Sequence, residues 1–415
     1  MHRSQYAHEI GDTLWLMILQ GLNYLAPLLV WPYLMTVLGA EQFGCISFAI
    51  AANQYLMIIV DFGFNFSSTK GIALAKENQD SINRLFSETL VAKLLLLAGA
   101  FVLLLAIVAI PKFRIYAQTS LILFSMVVCS ALTCVWLFQG LGKIRIVSII
   151  NCVSKIAILP LTFVLVRTSN DTLVAAYILG GVYVVSAILS LLLVRLQRLA
   201  RLVAITWSGI KAILKDSFPI FVSNAASSIY AMLFVVILGY FALPDEVGKY
   251  AAAEKLMRMA CYAVWLPVSQ AFFPKICQTA GHNRAETRRT LRRLFVIMTA
   301  AMLFIGGILF FFARPLSEWL GRDYAGFEPI AKILSIVPLF VAVGGVAGQL
   351  GLLTMGNERD KKHFQNIYLS AAGLSVVLTF ALVPHFQAIG AGIALLLTEC
   401  FVCVGMLVGL KKMLR

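Results

Sequence analysis

The sequence predicts an all-α integral membrane protein of about twelve transmembrane helices, and three observations predict it. Of 415 residues, 60% are hydrophobic and only 13% are charged, against about 25% charged in ordinary soluble chains. The mean hydropathy is +0.89. Apolar windows of about 20 residues, the length that crosses roughly 30 Å of hydrocarbon, recur twelve times along the chain. Lys and Arg collect in alternate connections between those windows. Together these exclude a cytosolic enzyme, a secreted domain and a DNA-binding protein.

The windows run approximately over 13–38, 43–65, 86–110, 118–138, 145–166, 173–194, 217–241, 250–273, 291–313, 327–355, 364–384 and 387–410. The first begins near Thr13 and passes Leu34, longer than a signal-peptide core of roughly 7–15 residues. No small-residue cleavage site follows it, so this helix is expected to remain. Polar residues interrupt the second and eighth windows. Between the sixth and seventh, the stretch from Arg195 to Asp216 reads as an amphipathic helix lying in the interface. Arg195, Arg198 and Arg201 line one face, Leu196, Leu199, Leu202 and Val203 another, and Trp207 follows. The expected organisation is a six-helix lobe over 1–194, a cytoplasmic or interfacial linker over 195–216, and a six-helix lobe over 217–415.

With the N-terminus inside, roughly 23 Lys and Arg fall on the cytoplasmic side and roughly 6 on the other. Both termini are therefore expected in the cytoplasm. The formal charge of +15 is mostly accounted for this way, without nucleic acid. External loops of about 15 residues or fewer leave no room for a catalytic domain, so an enzyme is not expected. Of eight cysteines, no pair occupies a long polar loop, and Cys400 and Cys403 share a helix face with no histidine nearby. Neither disulfides nor a metal nor another cofactor is expected.

The two halves resemble each other. Val37-Leu38-Gly39-Ala40-Glu41-Gln42-Phe43-Gly44 leads into the second window, and Phe241-Ala242-Leu243-Pro244-Asp245-Glu246-Val247-Gly248 leads into the eighth. The offset between glycines is 248 − 44 = 204. Arg84-Leu85-Phe86 and Arg293-Leu294-Phe295 match at an offset of 209. Six windows per half is an even number, so both halves enter the membrane from the same side. That predicts parallel lobes related by a pseudo-two-fold axis along the membrane normal, with a central cavity.

The run Pro27-Leu28-Leu29-Val30-Trp31-Pro32-Tyr33-Leu34-Met35-Thr36-Val37-Leu38-Gly39, followed by Phe43-Gly44 and by Asp61-Phe62-Gly63-Phe64-Asn65, resembles the start of the Wzx-type polysaccharide flippases. Those belong to the multidrug/oligosaccharidyl-lipid/polysaccharide exporter superfamily. Val247-Gly248-Lys249-Tyr250-Ala251-Ala252-Ala253-Glu254-Lys255 is similar to that family's second-half entry. The resemblance implies a flippase moving undecaprenyl-diphosphate-linked oligosaccharide repeat units from the inner to the outer leaflet of a bacterial inner membrane, for O-antigen-like polysaccharide. It implies the polysaccharide polymerase and chain-length regulator as candidate partners, besides the membrane lipids.

Such a cargo needs cations for its diphosphate and amides or hydroxyls for its sugar, all shielded from lipid. A cation at a helix centre costs about 2.5–3.5 kcal/mol to insert, so one found there requires a reason. Lys155 lies about ten residues, or about 15 Å, into the fifth window, and Arg258 about 12 Å into the eighth. Ser148, Asn151 and Lys155 share one helix face, with Pro160 beyond as a kink site. Glu254 and Arg258 form an i, i+4 pair, leaving Lys255 uncompensated and near the outer interface. Lys155, Lys255 and Arg258 are the diphosphate candidates; Asn23, Asn53, Gln54, Asn151 and Asn224 are the sugar-contact candidates.

Each has a plainer alternative. Lys255 and Lys93 can snorkel to an interface, Arg258 can serve Glu254 alone, and membrane Asn residues often join helices. Glu399, near mid-depth in the last window, is a candidate to carry a coupling proton, sodium being the other coupling ion considered. Glu254 and Asp61 complete the coupling or gating set, with capping or a loop ion pair as the plainer reading of Asp61. Gly344, Gly345, Gly348 and Gly351 permit close packing. A cation-coupled antiporter of the same superfamily is the competing function. A polymerase would need a long external loop, and a major-facilitator symporter would need a basic Gly-Asp-type loop where Ser67-Ser68-Thr69-Lys70-Gly71 stands.

Overall fold

In the computed structural model, the backbone is described for residues 2–280 and 282–414. Side chains are described for 27–413 except 144, 157–159, 223, 224, 226–231 and 281. Among these residues there is no strand, and the architecture is all-α. Eight helical stretches among them are long and apolar enough to cross a membrane, and the stretch from Glu358 to Met413 holds two of the sequence windows.

Window junctions are tighter than the sequence suggests. α1 (His2–Asp61) contains the first two windows, separated only by Gly39, whose φ of 72° and ψ of 172° stop one helix and start the next. Left-handed φ suits glycine, and a Cβ here would also press on the Asp323 carboxylate. α2 (Phe64–Leu74) follows through Phe62 and Gly63, both at positive φ, and packs with α3 (Gln79–Ala109). The fourth window is split into α4 (Ala117–Leu132) and α5 (Val135–Gly140). The Cys134 N–H released at the break donates to Ser190 Oγ at 2.9 Å. α6 (Ile144–Leu165) runs on through Pro160, and α7 (Thr172–Leu196) packs against both α4 and α6.

The connection after α7 differs from expectation. Residues 199–206 are not helical, and helix resumes only at α8 (Trp207–Phe241). The extended strap is held by polar side chains of α3. Asn83 Oδ1 accepts from Arg201 N at 2.8 Å, Ser87 Oγ accepts from Val203 N at 2.9 Å, and Gln79 Nε2 donates to Leu199 O at 3.0 Å. These bonds replace the intrahelical ones, while Val203, Ile205 and Thr206 resist helix through their branched side chains. Leu199 is buried in a core with Phe86, Trp136 and Val194 instead of lying on a membrane surface.

In the later part of the chain α9 (Pro244–Ala280), α10 (Arg284–Phe311), α11 (Ala313–Leu320), α12 (Phe327–Leu334) and α13 (Val337–Gly345) lead into a π-helix over Val346–Leu352. Then come α14 (Leu353–Met355) and α15 (Glu358–Leu414), the latter broken at Gln387 by φ 47° and ψ −124°. The glycines of the tenth window are close-packed: a Cβ on Gly344 would lie 3.2 Å from Cys403 Cα, and one on Gly345 would collide with the Trp265 ring. Gly44 and Gly248, the glycines matched by the repeat, face one another. A Cβ on Gly44 would strike the Pro244 carbonyl, and one on Gly248 the Ala40 carbonyl.

The chain divides into two compact units, residues 1–38 with 48–225, and residues 39–47 with 226–415. The first has cores around Trp136 and around Leu56, Leu104 and Val127. In the second, Trp265, Met298, Val346 and Leu350 form one core and Ile367, Val402 and Met406 another.

Candidate functional site

The second unit holds a charge network on α9. Tyr250, Glu254, Arg258 and Tyr262 follow at intervals of four residues, which places them along one helix face. Arg258 Nε donates to Glu254 Oε1 at 2.8 Å, and Nη1 donates to Tyr262 Oη at 3.2 Å. Nη2 lies 2.8 Å from the same Glu254 oxygen, so one edge of the guanidinium faces that carboxylate. Glu254 is 7% exposed and Glu399, from the second half of α15, is 6% exposed. Arg258 and Glu254 both act electrostatically on Glu399, and Glu399 in turn on Tyr250, Tyr262 and Tyr368.

Glu254 thus pairs with Arg258, and Glu399 is a second buried carboxylate in its electrostatic reach, where the low dielectric strengthens charge interactions. Lys255 is half-buried beside them and feels Glu254, so it is not the uncompensated cation expected from spacing. The arrangement has a definite chemical capability. A phosphoryl oxygen can compete with Glu254 for the guanidinium donors of Arg258.

In the first unit, Ser148, Asn151 and Lys155 are all half-buried, as one shared face requires. Lys155 sits between the exposed Val153 and Ile156 and the buried Cys152 and Ser154. Ser186 Oγ donates to Ser154 Oγ at 2.8 Å, fixing α6 against α7 and so fixing the direction in which Lys155 points. Asn53 is fully buried, and its amide donates to Ala49 O at 2.9 Å and Ser120 O at 3.0 Å. That makes it a tie between α1 and α4, with its donors spent. Gln54 is half-buried one position on. The side chains of Asn23 and Asn224 lie outside the described residues.

Lys93 corrects an expectation, and Asp61 takes the ion-pair alternative rather than the capping one. Lys93 does not snorkel: its side chain is 2% exposed and its Nζ pairs with Asp61 Oδ1 at 3.4 Å. Asp61 caps no helix, since α2 starts at Gly63 without a side-chain cap. The intervening Asp-Phe-Gly-Phe turn is an elbow. Phe62 stacks on Phe221 of α8 at 4.6 Å, and Ser67 and Ser217 hydroxyls meet at 2.6 Å.

Tyr250, Tyr262 and Tyr368 are members of the network that charge counting misses. The four-residue spacing from Glu254 and Arg258 was a usable signal for the first two. Tyr368 and Lys93 depend on contacts between helices distant in sequence, which carry no local signal.

An all-α chain with many membrane-length helices and a buried guanidinium–carboxylate pair is a multi-pass membrane protein. Its fold is that of the MOP superfamily. An inward-facing multidrug resistance MATE family transporter of that superfamily matches with a TM-score of 0.75 at 12% identity, covering 96% of this chain and 98% of that one. The lipid II flippase MurJ, in an inward closed conformation, matches with a TM-score of 0.70 at 13% identity, covering 96% and 87%. The family described as "Polysaccharide biosynthesis protein" matches residues 10–280. A protein of Escherichia coli (strain K12) named "Putative O-antigen transporter" is 31% identical over 407 residues, 97% of this chain and 96% of its own length. One of Shigella dysenteriae with the same name is 31% identical over 406 residues, 96% and 99%. This chain belongs to the polysaccharide biosynthesis protein family, and its relatives are transporters, not enzymes.

Proposed function

We propose that this protein moves undecaprenyl-diphosphate-linked oligosaccharide repeat units from the inner to the outer leaflet of a bacterial plasma membrane by alternating access. The observation that carries this reading is the 31% identity over 97% of the chain to a protein named as an O-antigen transporter. The shared fold with the lipid II flippase MurJ supports it. In this reading residues 1–194 and 217–415 act as two lobes joined by 195–216, with both termini cytoplasmic, as the loop charges favour. Arg258 and Lys155 are the cations that take the diphosphate, and Lys255 assists Arg258. Asn151 and Gln54 contact sugar.

Glu399 couples the step to a proton. In the empty transporter Glu254 holds Arg258, and the cargo's phosphates compete for it. A polymerase and a chain-length regulator receive the product. The test is translocation of a defined lipid-linked oligosaccharide by the purified protein in vesicles. Arg258→Gln and Lys155→Gln should each slow it at least about tenfold, the effect of losing roughly 1.4 kcal/mol, while the protein remains folded. Wild-type rates in both variants would end the assignment. Glu399→Gln should remove the pH dependence of transport.

One observation favours a second reading. Buried Glu399, beside a Glu254 already paired with Arg258, suits export of a cation in exchange for protons. Efflux of a cationic dye from the same vesicles, together with no movement of the lipid-linked sugar, would select it.

A further inference from the structure

Where α10 begins, and where α15 both begins and ends, the second unit has an open-mouthed cavity of about 760 Å³. Arg284 and Arg288 reach it from the first turns of α10, Arg359 and Lys362 from the first turns of α15, and Lys412 from its last turn. His363, Asn357 and Asn366 line it as well. Asp360 supplies the carboxylate in the lining, and its Oδ2 accepts from Asn357 N at 3.0 Å. Asn357 Oδ1 in turn accepts from Arg359 N at 2.9 Å and Asp360 N at 3.1 Å. The first backbone donors of α15 are therefore capped, and the positive charge of the cavity belongs to its side chains.

The rest of the lining is different in kind. Met355, Gly409 and Met413 come from the ends of the membrane-crossing stretches Phe327–Met355 and Glu358–Met413. Cationic side chains and the ends of two membrane-length stretches thus line the same cavity. A free anion gains nothing from two methionines and a glycine. A phosphate that carries acyl chains uses both surfaces at once. Cations needed only to orient the chain would have no reason to converge: Arg292 and Arg293, one turn farther along α10, do not line the cavity.

We propose that this cavity binds the phosphate headgroup of an anionic phospholipid, with its acyl chains leaving past Met355 and Met413. None of its residues belongs to the Glu254–Arg258–Glu399 network, so the site is separate from the one assigned to cargo. Its volume accommodates a headgroup with two phosphates as well as one.

The experiment is native mass spectrometry of the purified full-length protein titrated with a phosphatidylglycerol, a cardiolipin, a phosphatidylcholine or inorganic diphosphate. The anionic lipids should bind saturably. Arg288→Gln/Lys412→Gln should weaken them about 25-fold, about fivefold per cation. Arg292→Gln/Arg293→Gln, which removes the same charge elsewhere on α10, should weaken them less than about threefold, because separated surface charges are screened. Asn366→Glu keeps every orienting cation and should also abolish tight binding, which guards against a variant that inserts wrongly. Equal weakening by the two pairs, equal binding of phosphatidylcholine, or equal binding of inorganic diphosphate would each overturn the proposal.

Discussion

The Lys93–Asp61 pair makes an asymmetric prediction. The side chains are 2% and 29% exposed, at 3.4 Å. With an effective dielectric of 20 their attraction is about 5 kcal/mol, an upper figure that the wetter Asp61 lowers. Removing Asp61 strands a cation in a nearly dry site, whereas removing Lys93 leaves a carboxylate that still reaches water. Asp61→Asn should therefore destabilise by about 3 kcal/mol and Lys93→Met by about 1–2 kcal/mol. The double variant should be no worse than Asp61→Asn alone, because the stranded charge is gone. Its cycle should give a coupling of about 2 kcal/mol. Detergent-solubilised protein, unfolded by SDS and followed by circular dichroism, provides the three differences. Equal single costs, or a coupling under about 0.5 kcal/mol, would show that the pair is hydrated and that Lys93 does not depend on Asp61.

Other perturbations separate close packing from propensity and anchored loops from loose ones. Gly44→Ala and Gly248→Ala should each cost on the order of 1–3 kcal/mol through backbone collision. Gly99→Ala and Gly307→Ala, where a Cβ meets open space, should be neutral or stabilising in the same unfolding assay. Asn83→Ala/Ser87→Ala releases the strap at Arg201 and Val203, and trypsin should then cut at Arg201 at least several-fold faster than in wild type. Asp171 accepts from Arg167 N, Thr168 N and Thr168 Oγ1, and these donors hold its carboxyl below the usual carboxylate range. A depressed folded value means that the carboxylate's contribution is complete above about pH 4 and is lost as pH falls through the folded value. Hydrogen exchange over residues 164–176 should accelerate below that range, and Asp171→Asn should show fast exchange even at pH 7.

Hydrophobic windows revealed nearly all the helices because a membrane crossing must satisfy every backbone group within an apolar stretch of fixed length. The same reasoning could not see that windows one and two meet at a single residue, since a glycine at positive φ and a short loop have the same composition. Nor could it anticipate the strap. Arg195 to Val203 has the periodicity of an amphipathic helix, but Asn83 and Ser87, over a hundred residues earlier, offer its backbone better partners. At the site, the Glu254–Arg258 pair was legible because both partners lie on one helix. Lys93 was misjudged because its depth is visible in sequence and its partner is not. Asn53 ties α1 to α4 through its amide donors, a contact between distant helices that the sequence does not display.

The wide turn at Val346–Leu352 also sets how residues count through this membrane stretch. A π-helix takes up about one residue more than an α-helix for the same advance, so the chain there carries slack that the neighbouring α-helical turns lack. Losing one residue between 346 and 352 would tighten that turn toward ordinary α-geometry and leave Trp265 and Met406 with partners close at hand. The same loss in α10 or α15 would rotate everything beyond it by roughly 100° and turn lipid-facing leucines inward. Length variation is thus absorbed at one depth of the bilayer and penalised at the others.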